Sequence, residues 1–392
     1  MGEGRCTRNA LLRRYVRYFQ RQSARRLSWF IVRLPPGQTY NMHQHLGKSL
    51  KVGPYLLFLM GLAAGCYRHP VPDEFDRYMY EAIVRGKSQP LEVVYQEIRH
   101  ENKRTEESSN LESPELLREF EPLWAVRPLY VDTVWLLSYF VPIQSAISLI
   151  SAASLFGIGI IVFCWTDKPV QSALLMAFYP VLLLARFGTP DALSALLTIL
   201  ALWLISERMQ ISLAVAVLFL SLGIRTDNLL LLLAVLGLLA WEKKIRVSRA
   251  ALLAAVAIGV VLAINHWASN YGWAVLFRLS LIGGRHPAQM PHAISLREYG
   301  AAWLRGSTTI FPRVAIWILL GLTTWGRNSL RPILIVLGIA ATAHFLLYPS
   351  GDDRYLTWTY IVAAVAFIRS FGGRGGSVSD EILAPDCAGM RV

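Results

Sequence analysis

The chain of 392 residues has little charge and little cysteine, and its first fifty residues are almost free of acid. Only 17% of its residues are charged, where a soluble protein carries roughly a quarter. With 54% hydrophobic residues and apolar runs recurring to the C-terminal region, this excludes an ordinary water-soluble domain and indicates a polytopic membrane protein. Cysteine is too sparse for a disulfide framework. Cys6 and Cys387 lie in polar ends, and Cys66 and Cys164 sit at opposite ends of two apolar runs. There is no CxxC pair or His/Cys cluster of the kind that holds zinc. Charge is also nearly absent from the middle of the apolar runs, so the sequence lays no proton or ion relay across a bilayer.

The net charge is +13, and residues 1–52 hold eleven Lys/Arg against one acid, Glu3. Next to a membrane span such a basic segment reads as the cytoplasmic side rather than as a nucleic-acid site. The stretch "RNALLRRYVRYFQRQSARRLSWFIVRL" reads as an amphipathic helix on anionic lipid. A transit peptide is the lesser reading, because no small-residue cleavage site follows.

The pattern predicts an all-α integral membrane protein of about ten transmembrane helices. They fall near 53–67, 144–164, 169–187, 191–206, 210–224, 228–242, 250–267, 308–325, 331–348 and 355–371. An even count returns the C-terminus to the basic, inner side. The turn "WEKKIRVSR" is then the strongest inner cluster after the N-terminus. Arg186, Arg225, Arg278, Arg285, Arg297, Arg305, Arg313 and Arg354 would lie outside, so either the parity differs or these arginines serve the outer face.

Residues 68–143 are expected to form a large first extracytoplasmic loop. Its polar part, 68–127, holds thirteen of the chain's twenty-six acids. Two amphipathic helices are expected there, one in "EAIVRGKSQPLEVVYQEIRHENKR" and one in "SPELLREFEPLW", where Ser113 and Pro114 read as an N-cap and a first-turn proline. The short apolar segment 127–142 reads as a juxtamembrane helix that dips into the outer leaflet and returns. If it crossed, every later loop would change sides. A second outer loop is expected over 268–307 and a disordered tail over 372–392.

Charge gathers where spans meet the outer face. "RFGTPDALS" supplies Arg186 and Asp191, "GIRTDNL" supplies Arg225 and Asp227, and "SGDDRYLTW" supplies Asp352, Asp353 and Arg354. Asp73, Glu74 and Asp76 follow the first span at the same depth. Taken singly, each pair reads as a local ion pair at a helix end. Taken together they suit an anionic lipid headgroup and a polar acceptor, since guanidinium forks match phosphate and a carboxylate takes a hydroxyl proton. Asp132 reads equally as a second functional acid or as a helix-end contact. His69 and His286 read as surface groups, and His266 and His344 as packed ones.

The order of parts resembles the GT-C superfamily of polytopic glycosyltransferases, close to the protein-mannosyltransferase and arabinosyltransferase-like members. The likeness covers 53–371. It rests on "PDEFDRYMYEA" opening the first loop, on "RPLY" (Arg127 to Tyr130), on "TPDALSALL" and on "DDRYL". It implies a polyprenyl-phosphate sugar donor, an active site at the outer face, and inverting transfer with a first-loop carboxylate as general base. The run "FDRYMYEA" centres that base on Asp76, four before Tyr80. Ala82, four after Tyr78, favours Glu74, and Asp73 is the third candidate. Arg354, with Arg225 or Arg285, would hold the donor phosphate, and Asp191, Asp227, Asp353, Arg127 and Tyr130 would line the site. Relatives differ in using Mg²⁺ or Mn²⁺ or no metal, and these acids permit either. The acceptor would be a protein, a lipid or a glycan. The membrane would be a bacterial inner membrane, although the endoplasmic reticulum fits the physics equally. A transporter or lipid flippase is the alternative, and a non-catalytic scaffold is a third reading.

Overall fold

A computed structural model describes residues 42–71, 75–101, 112–325 and 330–372. The chain divides into two units, 1–51 and 52–392. The expected lipid-surface helix of the first unit and the tail from 373 onward lie outside the described residues, as do Asp73 and Glu74. Helices are the regular secondary structure of the described residues, with no strand among them.

Helix α1 (Met42–Arg68) is followed by three short amphipathic helices, α2 (Phe75–Gly86), α3 (Leu91–Glu101) and α4 (Pro114–Ala125). Ser113 caps α4 as its sequence suggests, its hydroxyl accepting from the Leu116 N–H at 3.2 Å. Each of the three helices has one apolar stripe, and the stripes meet in a core that includes Met79, Tyr80, Val94, Ile98, Leu117 and Phe120. That core continues onto α5 (Pro128–Leu137) and the start of α6 (Ile143–Thr166).

Both ends of the segment that holds α5 pack on α2. The chain enters at Arg127, whose guanidinium donates to the Tyr80 hydroxyl. It leaves at Gln144, which donates to Glu81 at 3.4 Å and accepts from Arg77 on its backbone oxygen. Entry and exit therefore meet α2 at the neighbouring residues Tyr80 and Glu81.

The remaining helices are α7 (Pro169–Met176), α8 (Tyr179–Arg186), α9 (Asp191–Trp203), α10 (Ile211–Ile224), α11 (Asn228–Trp241), α12 (Val247–Trp267), α13 (Trp273–Phe277), α14 (Leu296–Thr324), α15 (Arg331–Leu347) and α16 (Thr357–Gly372). Among the described residues, α6, α12 and α14 are long and apolar enough to cross a membrane. A fourth crossing arises if α7 and α8, bent by 57°, count as one. Only 11% of the most apolar stretch of α12, and of α14, is buried. Leu252, Leu262, Phe311, Leu319 and Leu322 face outward on these two helices. Apolar surface of that extent suits lipid rather than water.

Two expectations from the sequence are corrected. The stretch 169–187 is not one straight rod. It breaks around Ala177 and Phe178, because Pro180 lacks the N–H an uninterrupted helix needs and sits instead in the first turn of α8. The stretch 308–325 is the second half of α14. That helix starts at Leu296, where Ser295 and Glu298 form a reciprocal capping box, so the irregular part of the second loop ends at Ser295 rather than near 307.

Candidate functional site

Four stretches far apart in sequence meet at the helix ends around Arg354. The first is the opening turn of α2. The Val71 N–H donates to the Arg186 carbonyl at 2.9 Å, and the Arg186 Nε donates to the His69 carbonyl at 2.7 Å. These bonds tie the start of the loop to the end of α8 and set Asp76 beside the 187–191 turn. Arg186 therefore anchors backbone, and is not the partner of Asp191 that its place in the sequence suggests. Asp76 accepts from the Trp124 indole N–H at 2.9 Å and from Arg354, whose Nη1 lies 3.1 Å from its Oδ2.

The second stretch is the 187–191 turn. Gly188 has φ +66, a left-handed conformation glycine adopts without steric cost, and its carbonyl accepts from the buried Tyr130 hydroxyl at 3.2 Å. The turn sets Asp191 in the first turn of α9, where a carboxylate complements the helix dipole. Thr189 donates to Asp191 Oδ2 at 2.7 Å.

The third stretch, between α10 and α11, carries Arg225 and Asp227. Arg225 grips Asp227 with two nitrogens, at 2.9 and 2.6 Å, and reaches Asp191 with the third. Asp191 and Arg225 are both buried, so this pairing is a tertiary contact rather than a surface accident. The fourth stretch is 350–358. The Asp352 carboxylate accepts from the Arg354 backbone N–H at 3.0 Å and lies 2.7 Å from its Nε, which fixes a short 3-10 turn over Asp353–Leu356. The rings of Phe187 and Tyr355 flank the Arg354 guanidinium, and Arg225 also lies over Tyr355.

A small cavity of about 20 Å³, room for a water molecule, lies against Asp191, Arg225, Asp227, Asn228, His344 and Arg354. Burial alone would raise the Asp76 carboxyl, but Arg354, Arg127 and the Trp124 hydrogen bond outweigh it and hold the group below the usual carboxylate range. The same contest, with Arg225 and His344 as the favourable partners, holds Asp227 well below its usual value.

Of the residues expected from sequence, Asp76, Asp191, Arg225, Asp227 and Arg354 stand together. Arg127 and Tyr130 lie behind them, on Tyr80 and Gly188. The side chain of Asp353 falls outside the described set, and Asp352 is the acid seen on Arg354. Arg285 is not brought to the cluster. It pairs with Glu112 at 3.0 Å and is largely exposed. Asp132 lies in the middle of α5 and pairs with Lys87 at the surface. Trp124, Phe187 and Tyr355 are contributors that the linear sequence does not single out from the many other aromatic residues.

Among the described residues the donor set does not fit a divalent cation; Asp73, Glu74 and the Asp353 side chain lie outside them. Asp76, Asp191, Asp227 and Asp352 each face an arginine, and among the described residues no three His, Cys, Asp or Glu groups gather as metal ligands would. Compared with family models, with curated proteins and with solved structures, the chain matches none.

Proposed function

We propose that this chain is a membrane glycosyltransferase of GT-C type. It would move a sugar from a polyprenyl-phosphate carrier to an acceptor hydroxyl on a protein, lipid or glycan. The observation that carries this reading is the contact of Asp76 with Arg354, inside a cluster that also holds Asp191, Arg225 and Asp227. It joins a carboxylate able to accept a proton, Asp76, to guanidinium groups able to hold phosphate, Arg354 and Arg225, which line the cavity.

The pairing also explains how such a site would stay quiet without donor. While Arg354 faces Asp76, the carboxylate is ionised but weakly basic. An arriving phosphate competes for Arg354 and draws it off Asp76, and the carboxylate becomes a stronger base when donor is present. The acceptor oxygen then bonds the anomeric carbon while its proton passes to Asp76. The carbon–oxygen bond to phosphate breaks, and its electron pair stays on the phosphate. Arg354 and Arg225 stabilise that growing charge. One displacement inverts the anomeric centre, and no second carboxylate nucleophile is needed.

The fold supports the topology expected for such an enzyme. Helices α8 and α15 end at the cluster, and α9, α11 and α16 begin there. The π-helical turn Leu204–Arg208 that continues α9 carries Glu207, which pairs with Arg369 near the end of α16. About ten crossings, with the cluster at the outer face of a plasma or bacterial inner membrane, follow from placing the basic turns inside.

The test is transfer of labelled sugar from polyprenyl-phosphate carriers in membranes that contain the chain. It would be joined by mass spectrometry of lipid-linked sugars with and without it. Asp76→Asn and Arg354→Gln should each abolish transfer. Full activity in both would remove the proposed chemistry. The break between α7 and α8 favours one rival, a lipid flippase, because transporters use discontinuous helices. Movement of labelled carrier across proteoliposomes with no sugar transfer would establish the rival.

A further inference from the structure

His344 lies near the end of α15 and enters the cavity opposite α9. Its Nδ1 stands 3.4 Å from Asp227 Oδ2. Asp227 is itself held by two nitrogens of Arg225, so it faces His344 as a fixed, ionised carboxylate. A carboxylate at that position requires the imidazole proton on Nδ1. The other nitrogen, Nε2, is buried, and no group among the described residues reaches it. The rings of Tyr355 and Tyr348 pack against the imidazole, at centroid distances of 5.7 and 6.4 Å, and limit its rotation.

A neutral imidazole with its proton on Nδ1 presents Nε2 as a lone-pair acceptor. That makes it unlike its neighbours in the cavity. The arginines only donate, and the carboxylates are already engaged by them. Ser194 and Asn228 satisfy each other, with the Asn228 amide donating to Ser194 Oγ at 2.9 Å and to the Ser221 carbonyl at 3.1 Å. The unfilled requirement is for a ligand group that donates. A phosphate diester in a glycosylated carrier has no proton to offer, whereas a sugar hydroxyl does.

We propose that His344 is the sugar-binding acceptor of this site. Its Nε2 takes a hydrogen bond from a ring hydroxyl of the transferred sugar, and Asp227 holds the imidazole in the tautomer that makes this possible. The assignment rests on the glycosyltransferase reading given above. It sets arginines for phosphate and His344 for sugar on one small cavity, which would widen to admit the sugar. His344 is a binding residue here, and the proton-accepting base remains Asp76.

The experiment compares two probes on the full chain in lipid nanodiscs, undecaprenyl phosphate and undecaprenyl-phosphate-mannose, with undecaprenyl-phosphate-arabinose as a third arm. Binding is read by ligand-dependent thermal stabilisation. His344→Asn keeps an amide donor near Asp227 but lacks an acceptor at the outer position. It should weaken at least one glycosylated carrier about five- to tenfold, the worth of one hydrogen bond, and leave bare undecaprenyl phosphate unchanged. His344→Gln, which can place an amide oxygen near the Nε2 position, should recover part of the loss. Equal weakening of bare and glycosylated carriers would make His344 structural and overturn the proposal. Unchanged binding of every carrier that the wild type takes up would overturn it as well, with the glycosyltransferase reading left standing. If no carrier stabilises the wild type, that reading and this one fall together. Histidine-selective ¹⁵N NMR adds a readout without ligand. One imidazole should carry its proton on Nδ1 and vanish in His344→Asn, and a proton on Nε2 of that imidazole would overturn the proposal.

Discussion

Arg354 Nη1 lies 3.1 Å from Asp76 Oδ2, joining the first described turn after α1 to the last turn before α16. Both side chains are mostly withdrawn from solvent, at 13% and 20% exposure. Removing one partner of such a pair leaves a poorly solvated charge behind. Arg354→Gln should therefore lower unfolding stability by about 3 kcal/mol. Asp76→Asn in the same background should cost far less than it does alone. A double-mutant cycle by thermal denaturation in nanodiscs measures this coupling, and strict additivity would show the pair to be incidental.

The same pair predicts a pH dependence. Asp76 is held below the usual carboxylate value in the folded chain. Its contribution to stability is thus complete above the unfolded value of about 4 and fades as pH falls through the folded one. The stability gap between wild type and Asp76→Asn should be constant from pH 7 to about pH 5 and close on further acidification. A gap that widens on acidification would mean that the folded value is raised instead.

Trp124 donates to Asp76 from α4. Trp124→Phe keeps most of the packing and loses a bond to a charged acceptor, which is worth about 2 kcal/mol. Sugar transfer should fall with it, because Asp76 loses one of the groups that aim it. Transfer at the wild-type rate would show that Arg354 alone suffices.

Gly306 lies on the buried face of α14, where a Cβ would collide with the Pro349 carbonyl oxygen and carbon. Both are backbone atoms, so no side-chain rotation relieves the contact. Gly306→Ala should push residues 349–354 away and displace Arg354, at a cost of about 2 kcal/mol from overpacking. Gly300→Ala on the same helix meets nothing within 4 Å and serves as the control. Equal stability and activity of the two variants would contradict this packing.

Asp132 supplies the opposite expectation. Its carboxylate is 62% exposed and pairs only at the surface with Lys87. Asp132→Asn should stay within about 0.5 kcal/mol of wild type and keep full transfer activity. A large loss of transfer would return Asp132 to the candidate functional acids.

Helix positions were readable because apolar runs, prolines and caps act locally. The expected run 210–224 is α10 (Ile211–Ile224) to within one residue, and Ser113 caps α4 where the sequence shows it. Where a local signal went unread, the boundary moved. "SLRE" at 295–298 is a capping box that starts α14 twelve residues before the apolar run alone would place it. Partners were less readable. Arg225 binds its near neighbour Asp227, as its position suggests, but it also binds Asp191, which the sequence had paired with Arg186. Arg285 had the right charge and the wrong place.

Composition and periodicity by themselves determined a helical membrane chain with acids and arginines gathered at one set of helix ends, since burying apolar surface and avoiding charge in lipid are requirements of each segment alone. Which acid meets which arginine, that both ends of the 127–144 segment meet α2, and that His344 faces Asp227 were decided only by the tertiary structure. Those outcomes depend on how helices remote in sequence pack side by side, and ion-pair range is a few ångströms. A one-turn shift in that packing is about 5 Å and would exchange every partner.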